Sequence, residues 1–578
     1  MLRELARRRP IAVAIGLAAL LGSPALFSGF FDDDVWHLAM LEGRAMPSRG
    51  AFGLYRFADG GPEEMRATIA HGGFFSWWCD PSTRAAFLRP LSSALTAVDH
   101  TLFAHHALPY HAHVLVWFLA FVAVVGLLYR RVMGAAVGGI ATLLFAIDDG
   151  HAQTIGWIAS RHAVVAALPC MLGLVAHVRW RQDGWRLGRV LGPIAFAIGL
   201  GAGETALSAI AYLLAYELIG APGKRWKRAE AALPYVVIAL AYLVMYRALG
   251  YGVRGSGVYV DPLSSPRDYA LSVVPRLAAY FGDLLAGLPV ELWILAPAAR
   301  PLQIAAGWLG IVALWWLVKK IARARPPPET RAVQWLALGA LLSLLPGAAG
   351  FVGGRLLLVP SIGIAVVIAW VLKHGLHQLR GLPRLACRWL ALVHVVIAPL
   401  ALVGTLLQLR HVAHATETAS LAADVGPPGS HVFVVGTSDP LIAIYGPYWR
   451  WLADPRRPGS WHCLSIAPHD HLLTRTGTSS LELTVVGGRM LQSEFELVIR
   501  ARNEPLAVGT EIALDGSRIR IVETALGAPT RIALVTDGSL DDDAYRVLVW
   551  RNGALERLVL PPVGESVAVP RAIGPTGL

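Results

Sequence analysis

Residues 11–34 read IAVAIGLAALLGSPALFSGF-FDDD. The first twenty carry no charge and are long enough to cross a bilayer as a helix. Three acids, Asp32, Asp33 and Asp34, then follow at once, at the expected water boundary. Carboxylates are costly to desolvate there and often mark function. A solvated helix end is the plain alternative. The second triplet, Asp541-Asp542-Asp543, warns against reading such a run by itself.

Composition points the same way. Of 578 residues, 55% are hydrophobic and 16% charged, with mean hydropathy +0.52. Soluble proteins carry about a quarter charged residues, so the pattern is that of an integral membrane protein. The net charge of +12 gathers in short loops between apolar runs, as the positive-inside rule expects. It does not form a nucleic-acid patch, and no nucleic-acid partner is expected. Arg3, Arg7, Arg8 and Arg9 precede the first run. That start resembles a signal peptide with a break near Ser23-Pro24-Ala25, but an uncleaved first span is the preferred reading. Cys79, Cys170, Cys387 and Cys463 show no metal-ligand spacing; Cys79 and Cys463 can meet as a disulfide.

Alternating apolar runs and basic clusters predict about eleven spans, at 11–30, 110–129, 133–147, 160–178, 190–203, 205–220, 230–249, 302–318, 332–349, 356–372 and 389–408. The weave puts the N-terminus in the cytoplasm and a large first loop, 31–109, outside. Prolines break residues 250–301, which read as an outer loop with an interfacial or re-entrant helix. The fold class is therefore an α-helical polytopic membrane domain over 1–409, followed by a mainly-β soluble domain over 410–578. In that second part, strands are predicted at 431–435, 481–486, 494–499, 518–522, 531–535 and 545–550. Hairpin turns are predicted at Gly487-Gly488, Asp515-Gly516 and Asn552-Gly553.

Polar residues at the outer span ends are the candidate site: the triplet, Arg89, Asp148, Asp149, His151, Arg161, Glu204 and Arg355. One such residue can simply snorkel to the interface. Several converging on one face suit chemistry in which a carboxylate activates a nucleophile and arginines neutralise a phosphate leaving group. No histidine-based metal site is assigned. The acids can hold a hard divalent cation, although acid–base chemistry requires none.

Five local motifs resemble the GT-C class of membrane glycosyltransferases, and within it the protein O-mannosyltransferases and the transmembrane tetratricopeptide-containing group. They are Phe31-Asp32-Asp33-Asp34; Arg89-Pro90-Leu91 with Tyr110-His111; Leu144-Phe145-Ala146-Ile147 to His151 with Trp157 and Arg161; Gly203-Glu204-Thr205-Ala206 with Tyr216-Glu217; and Arg355 to Gly363 with Pro360-Ser361. They keep the family's order over about residues 11–372. The tetratricopeptide repeats are absent. Asp148 stands where the family has His, Gln153 where it has Glu, and Gly203 where it has Lys, while Gly354 precedes Arg355 where an acid is usual.

The resemblance implies an inverting transfer of a sugar from a polyprenyl-phosphate donor to an acceptor hydroxyl, on the periplasmic face of a bacterial inner membrane. Asp33 would be the general base, with Asp32 and Asp34 orienting or tuning it. Arg161 and Arg355 would meet the lipid phosphate, Glu204 would orient one of these two arginines, and Arg89 and His151 would complete the substrate site. The acceptor, whether protein, lipid or glycan, is left open. A flippase for a lipid-linked glycan and a catalytically silent scaffold presenting the β domain are the alternatives.

Overall fold

The computed structural model describes residues 9–456 and 458–577, so Arg3, Arg7 and Arg8 lie outside the described residues. The chain divides into two compact units. The first comprises Met1–Gly29, Phe87–Leu249 and Val260–Arg410; the second comprises Phe30–Ala86, Gly250–Tyr259 and His411–Leu578.

The first unit is helical. Among the described residues, seven helices of the chain are long and apolar enough to cross a membrane: Pro10–Phe27, Ala107–Ala146, Ile158–Asp183, Arg225–Ala248, Pro297–Ala322, Pro360–Gln378 and Leu382–Ala422. Gly188–Ala202 and Thr205–Gly220 are shorter and apolar. This is a multi-pass membrane protein. All eleven segments expected from the sequence overlap helices, but seven, not eleven, meet both length and hydropathy. Part of the difference lies in Ala107–Ala146, which holds two expected spans and breaks at Gly134, where φ is +71°. Only a residue without Cβ adopts that conformation cheaply.

The proline-rich stretch 250–301, where an interfacial or re-entrant helix was expected, does contain a helix. Pro266–Ala286 is a continuous 21-residue helix that passes through Pro275. Close packing explains its place in the first unit. A Cβ on Gly307 would fall 1.8 Å from the Ala278 carbonyl, so the helix Arg300–Ala322 approaches to backbone contact. Arg276 is buried, with its guanidinium donating to the Ala348 and Gly350 carbonyls at 2.8 and 3.1 Å.

The second unit is β-rich. A small antiparallel sheet joins β1 (Arg56–Asp59), β2 (Arg84–Ala86) and β3 (Gly252–Arg254). Ten further strands follow: β4 (His431–Val435), β5 (Ser460–Cys463), β6 (His471–Gly477), β7 (Ser480–Val485), β8 (Glu511–Leu514), β9 (Ser517–Ala525), β10 (Ala528–Thr536), β11 (Tyr545–Arg551), β12 (Ala554–Arg557) and β13 (Ser566–Val569). They form a six-stranded antiparallel sheet, ordered β13-β6-β7-β10-β9-β8, and a four-stranded sheet, β12-β11-β4-β5. In the latter, β4 runs parallel to both β5 and β11. Its run Val432–Val435 is apolar and wholly buried, as a strand covered on both faces requires. Along β7, Leu481, Leu483 and Val485 point inward in strict alternation.

Two expected hairpins are present, at Asp515-Gly516 between β8 and β9 and at Asn552-Gly553 between β11 and β12. Asn552 and Gly553 both take positive φ, as a tight primed turn demands. Gly487-Gly488 follows β7 but joins no pair of strands. The segment 494–499 is not a strand either: Glu494–Leu497 is a helical turn. Ser493 and Glu496 cap one another there, and the Glu496 carboxylate accepts from the Leu491, Gln492 and Ser493 amides. The four cysteines are buried free thiols, so Cys79 and Cys463 form no disulfide. Burial pushes the Cys79 thiol up to about 12.

Candidate functional site

In the second unit, the acid triplet opens the helix Asp33–Leu41. Asp32 occupies the position before it with φ +53° and ψ −121°. That conformation costs a side-chain-bearing residue about 1–3 kcal/mol, and such strain gathers at functional sites. Asp33 and Asp34 fall in the first turn, where unpaired amides and the helix dipole favour negative charge. Their environments differ. Asp34 is buried, and its Oδ2 accepts from the Phe31 amide at 3.0 Å, which closes the turn leading into the helix. Asp33 is half-buried, and the Tyr445 hydroxyl donates to its Oδ1 at 3.0 Å. Burial and the charges of Asp32 and Asp33 push the Tyr445 phenol well above its ordinary range, so it remains a donor. Asp32 lines a small, narrow cleft with Phe30, Phe31, Thr416, Tyr445 and Trp449. Behind the triplet, Trp36 stacks on Tyr448 at 5.0 Å and touches Phe57 and Phe74.

In the first unit, two pairs of the sequence motifs come together. Arg89 precedes the helix Pro90–Phe103, and Glu204 precedes Thr205–Ala215. The Arg89 Nε donates to Glu204 Oε2 at 2.8 Å, and the Tyr246 hydroxyl donates to Glu204 Oε1 at 3.2 Å. Glu204 was expected to orient Arg161 or Arg355; its partner is instead Arg89, which tertiary packing brings to it. The second pairing joins the segment around His151 to that around Arg355. The Arg355 amide donates to Gln153 Oε1 at 3.2 Å, while Gln153 Nε2 donates to Glu291 Oε1 at 3.0 Å. Glu291 Oε1 also accepts from the Gly354 amide at 2.9 Å. The Arg355 guanidinium lies 5.6 Å from the Trp157 ring and donates to the Phe351 carbonyl at 3.2 Å. Among the described residues it has no carboxylate partner.

Arg161 and His151 occupy different surroundings. Arg161 and Asp99 are each 2% exposed at the side chain and form an ion pair; Thr96 supplies a further contact at 3.3 Å. The guanidinium faces a protein carboxylate, not an open pocket. His151 is fully buried, its Nε2 is 2.7 Å from the Phe145 carbonyl, and burial pushes it down to about 4. Next to it, burial raises the Asp148 carboxyl, with the Asp149 charge adding to the effect; burial likewise raises Asp149. Glu291, Asp99, Tyr246 and Tyr445 were not identified from sequence. None lies in a recognisable motif, and each is recruited by tertiary packing.

No protein-family model matches the chain, and no curated protein matches it. Among solved structures, it is similar to the Archaeoglobus fulgidus oligosaccharyltransferase tethered with an acceptor peptide (TM-score 0.41, 13% identity, 78% of this chain and 64% of that one). It is also similar to ArnT from Cupriavidus metallidurans bound to undecaprenyl phosphate (0.39, 14%, 78% and 89%). A third likeness is to the arabinofuranosyltransferase AftD from Mycobacteria (0.35, 15%, 74% and 31%). The matched part spans 64% of the archaeal enzyme's length.

Proposed function

We propose that the protein is an inverting glycosyltransferase that moves a sugar from a polyprenyl-phosphate carrier to an acceptor hydroxyl. The observation that carries this reading is the acid triplet, where a strained Asp32 precedes an oriented Asp33 at the start of a helix. Asp33 takes the proton of the acceptor hydroxyl as that oxygen bonds to the anomeric carbon. The bond from that carbon to the phosphate oxygen breaks with its electron pair, and polyprenyl phosphate leaves. Displacement from the opposite face inverts the anomeric centre. Asp32, beside the cleft, orients the acceptor, while Asp34 holds the turn.

Arg355 is the best-supported phosphate group. Its guanidinium fits phosphate oxygens in two-point contact, and no carboxylate among the described residues neutralises it. Arg161 is less suited, because Asp99 already engages its charge. Arg89 with Glu204 forms a second polar cluster for the donor's sugar or phosphate, and His151 holds the shape of the segment that carries Gln153. The five ordered motifs support the same class. We place the reaction on the periplasmic side of a bacterial inner membrane, with the N-terminus cytoplasmic and the region after residue 410 outside.

The test is a panel of radiolabelled polyprenyl-phosphate hexoses and pentoses, offered to the purified protein with membrane extract as acceptor. Release of polyprenyl phosphate, lost by about 100-fold or more in Arg355→Ala, is the expected result. Wild-type release by that variant would remove Arg355 from the site. No release with any donor would favour a flippase or a scaffold.

A further inference from the structure

We propose that Tyr445, from the region after the last apolar helix, is the positioning residue of the first-loop base Asp33. This rests on the assignment of Asp33 made above. The two residues lie 412 positions apart, both in the second unit, and are joined by the 3.0 Å hydrogen bond from the phenol to Asp33 Oδ1. One donor at Oδ1 sets the rotation of the carboxylate about its Cβ–Cγ bond. That rotation decides which oxygen meets an acceptor hydroxyl, and general-base catalysis needs heavy-atom approach to about 3 Å.

Three features make Tyr445 a fixed donor. It closes the helical turn Leu441–Tyr445, which leads directly into the helix Gly446–Ala453. The base of this turn is anchored by Asp439, a buried carboxylate that accepts from the Leu441 amide at 2.9 Å and from the Thr576 amide and hydroxyl at 2.8 Å. The ring itself is walled by Phe74 at 5.3 Å, Tyr448 at 6.1 Å and Trp36 at 6.2 Å. A side chain packed in this way loses little freedom when it holds a partner, which is how a supporting residue gains leverage on a reactive group. The C-terminal region would then complete the reacting centre, in contrast to a module that only selects an acceptor.

The experiment uses the full chain. Tyr445→Phe keeps the ring and removes only the hydroxyl. Turnover of a polyprenyl-phosphate sugar should fall about 10- to 100-fold in kcat, with KM for the donor and the thermal midpoint unchanged. Combining it with Asp33→Asn should cost no more than Asp33→Asn alone. Independently of turnover, 3-fluorotyrosine at position 445 should show a 19F resonance that moves when Asp33 becomes Asn. Wild-type kcat in Tyr445→Phe, with Asp33→Asn inactive, would overturn the positioning role alone, as would a resonance indifferent to Asp33. Wild-type turnover by Asp33→Asn would remove the base, and the proposal with it.

Discussion

Arg161 and Asp99 form a deeply buried ion pair in the first unit, each side chain 2% exposed. Its surroundings allow the cost of breaking it to be worked out. Trp117 Nε1 donates to His113 Nε2 at 3.0 Å, so that nitrogen accepts and the ring proton sits on Nδ1. Nδ1 lies 2.8 Å from Asp99 Oδ1 and donates to it. Arg161 is the guanidinium partner of Asp99 in this pair, and its Nη1 also lies 3.2 Å from His113 Nδ1. Arg161→Met would leave a buried, uncompensated carboxylate, which costs about 3–5 kcal/mol. Replacing both partners by apolar residues, Arg161→Met with Asp99→Leu, removes that charge and should unfold within about 1 kcal/mol of wild type. The coupling between the two sites should therefore reach about 2 kcal/mol or more. Equilibrium unfolding in bicelles, followed across the four proteins of this cycle, measures it. A stable Arg161→Met variant that had lost polyprenyl-phosphate binding would refute the structural role and return Arg161 to the substrate site.

Other perturbations test other parts of the account. Asp32→Gly removes a side chain from a φ of +53° and should stabilise the second unit by about 1 kcal/mol, while lowering turnover; chemical denaturation and the donor assay read the two effects separately. Burial holds His462 down to about 3 and His471 to about 4, whereas the unfolded chain takes up these protons near 6.5. Because the unfolded state binds more protons below that value, stability falls as pH falls. Each histidine should cost about 1.4 kcal/mol between pH 7.5 and 5.5. Unfolding midpoints of the wild type against His462→Gln and His471→Gln should show the slope flattening in each variant.

The parts of the fold that could be read from sequence were those set by local chemistry. Arg130 and Arg131 flag a break between two apolar runs, and the chain does break at Gly134. Asp515-Gly516 and Asn552-Gly553 can turn because Gly516, Asn552 and Gly553 tolerate positive φ. The strand at 431–435 could be read from its short run of apolar, mostly β-branched residues. Local patterns fell short where a longer-range or competing bond won. The prolines of 250–301 suggested a loop with an interfacial or re-entrant helix; the bounds of that helix, Pro266–Ala286 with Pro275 inside it, depend on packing against Gly307 and were not legible locally. The apolar pattern at 494–499 suggested a strand, but the Ser493–Glu496 cap satisfies the same backbone as a helical turn.

The candidate site divided in the same way. The motifs singled out Arg89, Glu204 and Arg355 separately; that Arg89 meets Glu204, and that Arg355 meets Gln153, is visible only in the fold. Asp99 carried no signal, so Arg161 read as an anion binder until its partner was seen. Tyr445 belongs to a segment with no motif, and its bond to a residue 412 positions away leaves no trace in local sequence.

The central claim is that a first-loop carboxylate deprotonates the acceptor of a polyprenyl-phosphate-linked sugar. The most direct measurement is the single-turnover rate of polyprenyl-phosphate release by Asp33→Asn, compared with wild type at equal folded concentration. The account predicts a loss of about 100- to 10,000-fold, with donor binding retained. An Asp33→Asn protein that releases the carrier at the wild-type rate would contradict it.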